Sequence, residues 1–318
     1  MNEYVAITLV IVPLFLYAVL LMIECGATVF VAVPELLGAG GGGEKMAAVY
    51  IAPLWETTNV FLVFAFVSLM AFFPGAVSIW GRALAVPFFV FLAVMGVRAI
   101  AMLLVFYRKG AGRFAKALLV CAALASPAVF AAGIVPYFLT AGAPYGGGPL
   151  LAFCLGGFAL AATFLVSFSF FGYLAARRAV RTTHSMDFLT TFFALVFILV
   201  VILLFLMMPV LVPHIAGGAA FHASSSFFAG LSVLELVLLV PSRRDRKDKG
   251  RRFALSVALF AAAFFGIAFA QLPYLVYPAV TVMGAFTDPA TAHAMFLVFG
   301  AGALVTLPSL GILYYLFA

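Results

Sequence analysis

Apolar residues run in continuous stretches of about 20 or more, separated by short breaks of glycine, proline or charge, with no strict alternation of apolar and polar positions. Nine such stretches can be marked: 5–33, 50–73, 83–106, 115–140, 149–176, 188–212, 219–241, 253–276 and 292–317. Each is long enough to be a membrane-crossing helix, and the first and fifth are long enough to tilt or to extend past the bilayer. The breaks are punctuated by Gly40 to Gly43 with Glu44-Lys45, by Pro74-Gly75, by Pro144 to Pro149 and by Pro278. The pattern predicts one all-α integral membrane domain over 1–318, with about nine transmembrane helices. Continuous rather than alternating apolar runs argue against a barrel. No soluble domain, low-complexity tail or internal repeat is apparent.

Composition agrees with the pattern. The chain is 67% hydrophobic and 8% charged, whereas soluble domains are near a quarter charged. The net charge of +7 changes the picture only through its placement. Of the 17 basic residues, 15 fall in the breaks after the first, third, fifth and seventh stretches, most densely over Arg243–Arg252. Only Arg82 lies on the opposite side, and Arg98 lies inside a stretch. Positive loops mark the cytoplasmic side, so the N-terminus is expected outside and the C-terminus inside the cell, which requires an odd number of spans. The basic loops are read as topology signals, without a nucleic-acid partner. The first stretch lacks a basic leader and a cleavage site and is expected to be retained as a span.

Charged groups within apolar stretches are costly and need a reason. Glu24, Glu56, Arg98 and Glu235 all lie roughly 9–14 Å into the cytoplasmic half, from a rise of about 1.5 Å per residue. Two readings stay open for the first three: a hydrated carboxylate route for protons, with Arg98 tuning the acids, or a buried ion pair that locks three helices. Glu235 is expected to reach the interface. Around Glu56, the segment Pro53 to Asn59 forms a polar island in which Trp55, Thr58 and Asn59 are supporting groups. A second polar group near the outer surface holds Gln271, Tyr274, Tyr277, Asp288 and His293, with His222 and Ser224 to Ser226 nearby. No histidine among His184, His214, His222 and His293 sits deep in a span opposite a second ligand, so no haem or metal is expected on this chain. Cys25, Cys121 and Cys154 lack ligand spacing and are expected to be buried small hydrophobes.

The span-two motif Ala52-Pro53-Leu54-Trp55-Glu56-Thr57-Thr58-Asn59-Val60-Phe61-Leu62 resembles a segment of subunit II of cytochrome bd quinol oxidases. Glu24-Cys25-Gly26 stands where that family has an Asp-Gly pair, Phe73-Pro74 resembles its Trp-Pro turn, and Arg98 its intramembrane arginine. Leu272 to Pro278, followed by Phe286 to Thr291, is similar to its C-terminal motif. The second acid after the Asp-Gly pair is absent, with Ala27 and Thr28 in that stretch. The resemblance implies two four-helix bundles plus a peripheral ninth helix, and a cofactor-free partner of a larger subunit I bearing haem b and haem d-type groups. It also implies quinol as substrate, oxygen reduced to water, a prokaryotic plasma membrane, contact with lipid and quinone, room for a small accessory single-helix subunit, and a proton route using Glu24 and Glu56. A proton-coupled secondary transporter with a Glu24/Glu56/Arg98 site is the competing class; the missing repeat counts against it.

Overall fold

The structure, a computed structural model, describes residues 3–37, 42–107, 112–139, 148–177, 184–239 and 246–317. The basic runs at 108–109, 178–181 and 243–244 and the glycine breaks at 38–41 and 140–147 lie outside these residues.

Apolar sequence without water to bond its backbone folds into helices, and nine long helical segments occupy the described residues. They are α1 (Glu3–Leu37), α2 (Gly42–Phe72), α4 (Ala85–Tyr107), a broken helix over Arg113–Leu139, α7 (Gly148–Arg177), α8 (His184–Leu211), α10 (Ala219–Leu239), α11 (Arg246–Ala270) and α13 (Pro289–Phe317). Short helices α3 (Pro74–Ala83), α9 (Pro213–Ala216) and α12 (Val282–Ala285) join them. Eight of the described helices are long and apolar enough to cross a membrane. Helix α10, 21 residues long, carries His222, Ser224 to Ser226, Ser232 and Glu235 in an otherwise apolar sequence.

Helices α1, α2, α4 and the broken helix pack as one bundle, and α7, α8, α10 and α11 as a second. The bundles join where α1 meets α7 and α11. Aromatic rings fill the joints: Phe15 of α1 stacks on Phe260 of α11 at 5.7 Å, and Phe164 of α7 on Phe193 of α8 at 4.6 Å. At the α1–α7 crossing a side chain on Gly26 would run into Ser167. The serine Oγ donates to the Met22 carbonyl at 2.7 Å, a bond from one bundle to the other. Helix α13 touches the rest mainly through α2 and is exposed along most of its length, the peripheral position expected of a ninth helix.

Several boundaries differ from the sequence expectation. The stretch 253–276 is not one helix: α11 ends at Ala270, and β1 (Tyr274–Val276) pairs with β2 (Val280–Thr281) in an antiparallel hairpin. Pro273 and Pro278 cannot donate a backbone hydrogen bond and so do not continue a helix; both follow cis peptide bonds. The stretch 115–140 is helical but broken. It runs as α5 (Arg113–Val129), a π-helical turn (Phe130–Ile134) and α6 (Val135–Leu139). Pro127 inside α5 removes one i→i−4 bond, and the ladder re-registers just beyond it.

Candidate functional site

The four charges within the apolar stretches do not form one cluster. Arg98 of α4 reaches α1 and donates from Nη2 to Glu24 Oε1. Both side chains are shut away from the surface of the chain, so the pair ties α1 to α4 inside the first bundle. The Thr58 hydroxyl of α2 stands beside the Glu24 carboxylate while donating to the Leu54 carbonyl at 2.7 Å. Tyr17 and Cys25 of α1 complete the electrostatic surroundings of Arg98. Glu24 Oε2, Arg98 Nε and Tyr17 Oη are buried without a hydrogen-bond partner among the described residues. Buried polar atoms in that position are usually satisfied by ordered water.

Glu56 does not join this pair: its side chain is exposed on the outside of the bundle. The polar island thus splits around the helix. Leu54, Thr57 and Thr58 face inward, Trp55 and Asn59 are half-buried, and Asn59 Nδ2 donates to the Trp55 carbonyl at 2.9 Å. Val63, Val67 and Met70 continue the exposed face above Glu56. Along an apolar span such a carboxylate is tolerated against protein or water, not against lipid tails.

Glu235 overturns the expectation of an interfacial side chain. It is wholly buried in α10, with Arg252 of α11 as its charged neighbour. Arg252 is itself buried, and its Nη2 donates to the Thr191 hydroxyl of α8 at 3.1 Å. Each bundle therefore holds a buried glutamate and arginine, and only the first pair is in direct contact. The sequence signal was present, since Arg252 opens the next stretch, but it was absorbed into the count of loop charges. Of the cysteines, Cys25 is buried and Cys154 half-buried, while Cys121 is exposed, contrary to expectation.

The outer polar group is brought together in part. Gln271 Nε2 donates to the Phe138 carbonyl at 2.7 Å, and its Oε1, which can only accept, takes the Nε2 proton of His214 at 3.1 Å. His214 stacks on Tyr277 at 3.7 Å. His222 and His293 are exposed and stand apart. The segments that carry the C-terminal and Phe73-Pro74 resemblances meet in space. Phe73 packs on Phe286 at 6.0 Å, and Thr287 N donates to the Phe72 carbonyl at 2.9 Å.

Asp288 has a structural task. Its Oδ1 accepts from the amides of Ala290 at 2.9 Å and Thr291 at 3.1 Å, capping α13. Hydrogen bonds from the Thr291 hydroxyl and amide, then from the Ala290 amide, hold the Asp288 carboxyl below its usual range. A lowered folded-state value means that the cap is at full strength above the ordinary aspartate pKa. It is lost as pH falls through the folded value. Asp288→Ala is expected to speed hydrogen exchange at the first amides of α13 at neutral pH, and wild-type exchange should approach the variant's on strong acidification. Equal exchange at neutral pH would remove the cap assignment.

Among the described residues no three His, Cys, Asp or Glu side chains gather as a metal site. The functional comparison rests on relatives. Residues 2–317 match the family described as cytochrome bd terminal oxidase subunit II. A protein of Bacillus subtilis (strain 168) named "Putative cytochrome bd menaquinol oxidase subunit II" is 24% identical over 340 residues, covering 96% of this chain and 93% of that one. The structure of the bd oxidase from Geobacillus thermodenitrificans superposes with a TM-score of 0.81 at 22% identity, over 99% of this chain and 98% of its counterpart. At that identity the superposition speaks for the fold. Nothing in these matches favours the transporter alternative. A match from end to end to one family shows that this chain belongs to the cytochrome bd terminal oxidase subunit II family and is the membrane-embedded subunit II of a quinol oxidase complex.

Proposed function

We propose that the chain supplies protons from the cytoplasm to a haem-bearing subunit I, lying with its N-terminus outside and its C-terminus inside the cell. The orientation is supported by the 15 basic residues on one side. The proton role is supported above all by one observation: Glu24 Oε2, Arg98 Nε and Tyr17 Oη are buried polar atoms within the first bundle with no partner among the described residues. Water held there would give Glu24 an exchange path, and Arg98 fixes one carboxylate oxygen so that the other stays open to it.

Glu56 belongs to the same reading from the outside. Its exposed carboxylate and the apolar face above it suit a surface that subunit I covers, with Glu56 at the cytoplasmic edge of that seam. Thr58 lies two residues on and faces the Glu24 side of the same helix, so α2 separates an outer and an inner acid by about half a turn. Haem b and haem d-type groups in subunit I would carry electrons from quinol to oxygen, a reaction that consumes protons. Quinone and a small accessory subunit are contacts of the complex; lipid surrounds the spans.

Glu24→Gln and Glu56→Gln, separately and together, test this in the assembled oxidase. Oxygen consumption per haem-replete complex is expected to fall by about one to two orders of magnitude. Recovery of complex should also fall in the Glu24→Gln variants, because Arg98 loses its buried partner, so turnover is referred to haem content. Full turnover in the double variant, with assembly intact, would reduce Glu24 and Arg98 to a structural lock.

A further inference from the structure

A cavity of about 340 Å³ lies between α1, α2, α3, α4 and the π-helical turn, toward the side opposite the basic loops. Leu69, Trp80 and Ile134 form its inner wall, and the exposed Met70 and Phe89 also line it, so it reaches the outside of the chain. Its size is at the lower end of the roughly 300–1,000 Å³ of small-molecule sites. The lining is apolar. Gly81 lines the rim, and Arg82, the next residue, is exposed in the last turn of α3. Arg82 is the one basic loop residue on that side of the chain.

We propose that this cavity holds one acyl chain of a phospholipid from that leaflet, with the phosphate at Arg82. The apolar wall suits a hydrocarbon chain. Arg82 follows the rim residue Gly81 in the chain and is exposed, and a guanidinium matches a phosphate, which it can bind in a forked, two-bond geometry. An isoprenoid chain could fill the apolar part, but it brings no anion for Arg82. The break in the helix after Pro127 contributes directly, because the π-helical turn presents Phe130 and Ile134 to the cavity. The site is independent of the proton route, so the failure of either leaves the other standing.

The test uses the complete two-subunit oxidase, washed in mild detergent and analysed for retained lipid by mass spectrometry and phosphorus content. Wild type should keep a phospholipid through washing. Val77→Phe, which fills the cavity from α3, should lower its retention by about tenfold. Arg82→Gln should lower it by about fivefold, with loss of any preference for anionic headgroups. No retained phospholipid, a retained quinone in its place, or equal retention in Val77→Phe would overturn the proposal. Should Val77→Phe fail to assemble, a phospholipid with a photoreactive acyl chain decides the matter on wild type. Labelling should fall on peptides containing Trp80, Phe89 or Phe130, and labelling confined to other helices overturns the site.

Discussion

Arg98→Leu is expected to be the most damaging single substitution in this chain, lowering stability by about 3–5 kcal/mol. Removal of one partner from a buried ion pair leaves the other charge uncompensated, and here that charge is Glu24, which no solvent reaches at the surface of the chain. The loss should appear as poor recovery of the assembled oxidase and as a lower melting temperature. The companion experiment separates charge from shape. Glu24→Leu combined with Arg98→Leu removes both charges and keeps apolar volume, so stability should return most of the way to wild type, because a buried pair gains little over well-packed hydrophobes. Turnover should not return with it if Glu24 carries protons. A double variant as unstable as Arg98→Leu alone would mean that the pair is needed to set the packing of α1 against α4.

Gly26→Ala is expected to cost about 1–3 kcal/mol and to loosen the contact between the two bundles. An added Cβ would coincide with the Ser167 hydroxymethyl group, whose single hydroxyl proton is shared between the Met22 carbonyl at 2.7 Å and the Thr163 carbonyl at 2.5 Å. The clash cannot be relieved by a simple rotation without breaking the bond to α1. Two residues away along α1 stands Glu24, so displacement of α1 at this crossing also moves the carboxylate relative to Arg98. Ser167→Gly should rescue Gly26→Ala by making room on α7. A melting-temperature cycle over the two single variants and the double variant should show favourable coupling, since the side chains share one space. Additive losses would place the strain elsewhere.

How much of this could be read in the sequence follows from what a membrane imposes. The spans were legible because crossing an apolar layer demands length, and length is a property of the chain alone. The depth of Glu24 and Arg98 was legible for the same reason, since each residue advances the helix by a fixed rise. Family membership was legible from Trp55-Glu56, Asn59 and the Leu272–Pro278 segment, residues whose order does not depend on packing. Direction around the helix axis was not. A helix that is apolar on all sides has no distinct hydrophobic face to show which way it turns, so equal depth made Glu56 look like a neighbour of Glu24. The fold turned it outward by the α2 contacts that bury Leu54 and Thr58 instead. Glu235 shows the same gap in reverse: with no partner evident along the chain it is expected to reach the interface, and the packing of α10 on α11 closes it in with Arg252.

The sequence by itself therefore determined that this is a helical membrane subunit of the bd oxidase type, how many long apolar segments it has, and that Glu24 and Arg98 lie at a common level. Only the tertiary structure decided which charges meet, that Glu24 takes Arg98 while Glu56 faces away, and that the prolines near the ends of α5 and α11 create a π-helical turn and a hairpin. Depth is fixed by the rise per residue and the bilayer, whereas azimuth and partner are fixed by contacts between helices distant in the chain.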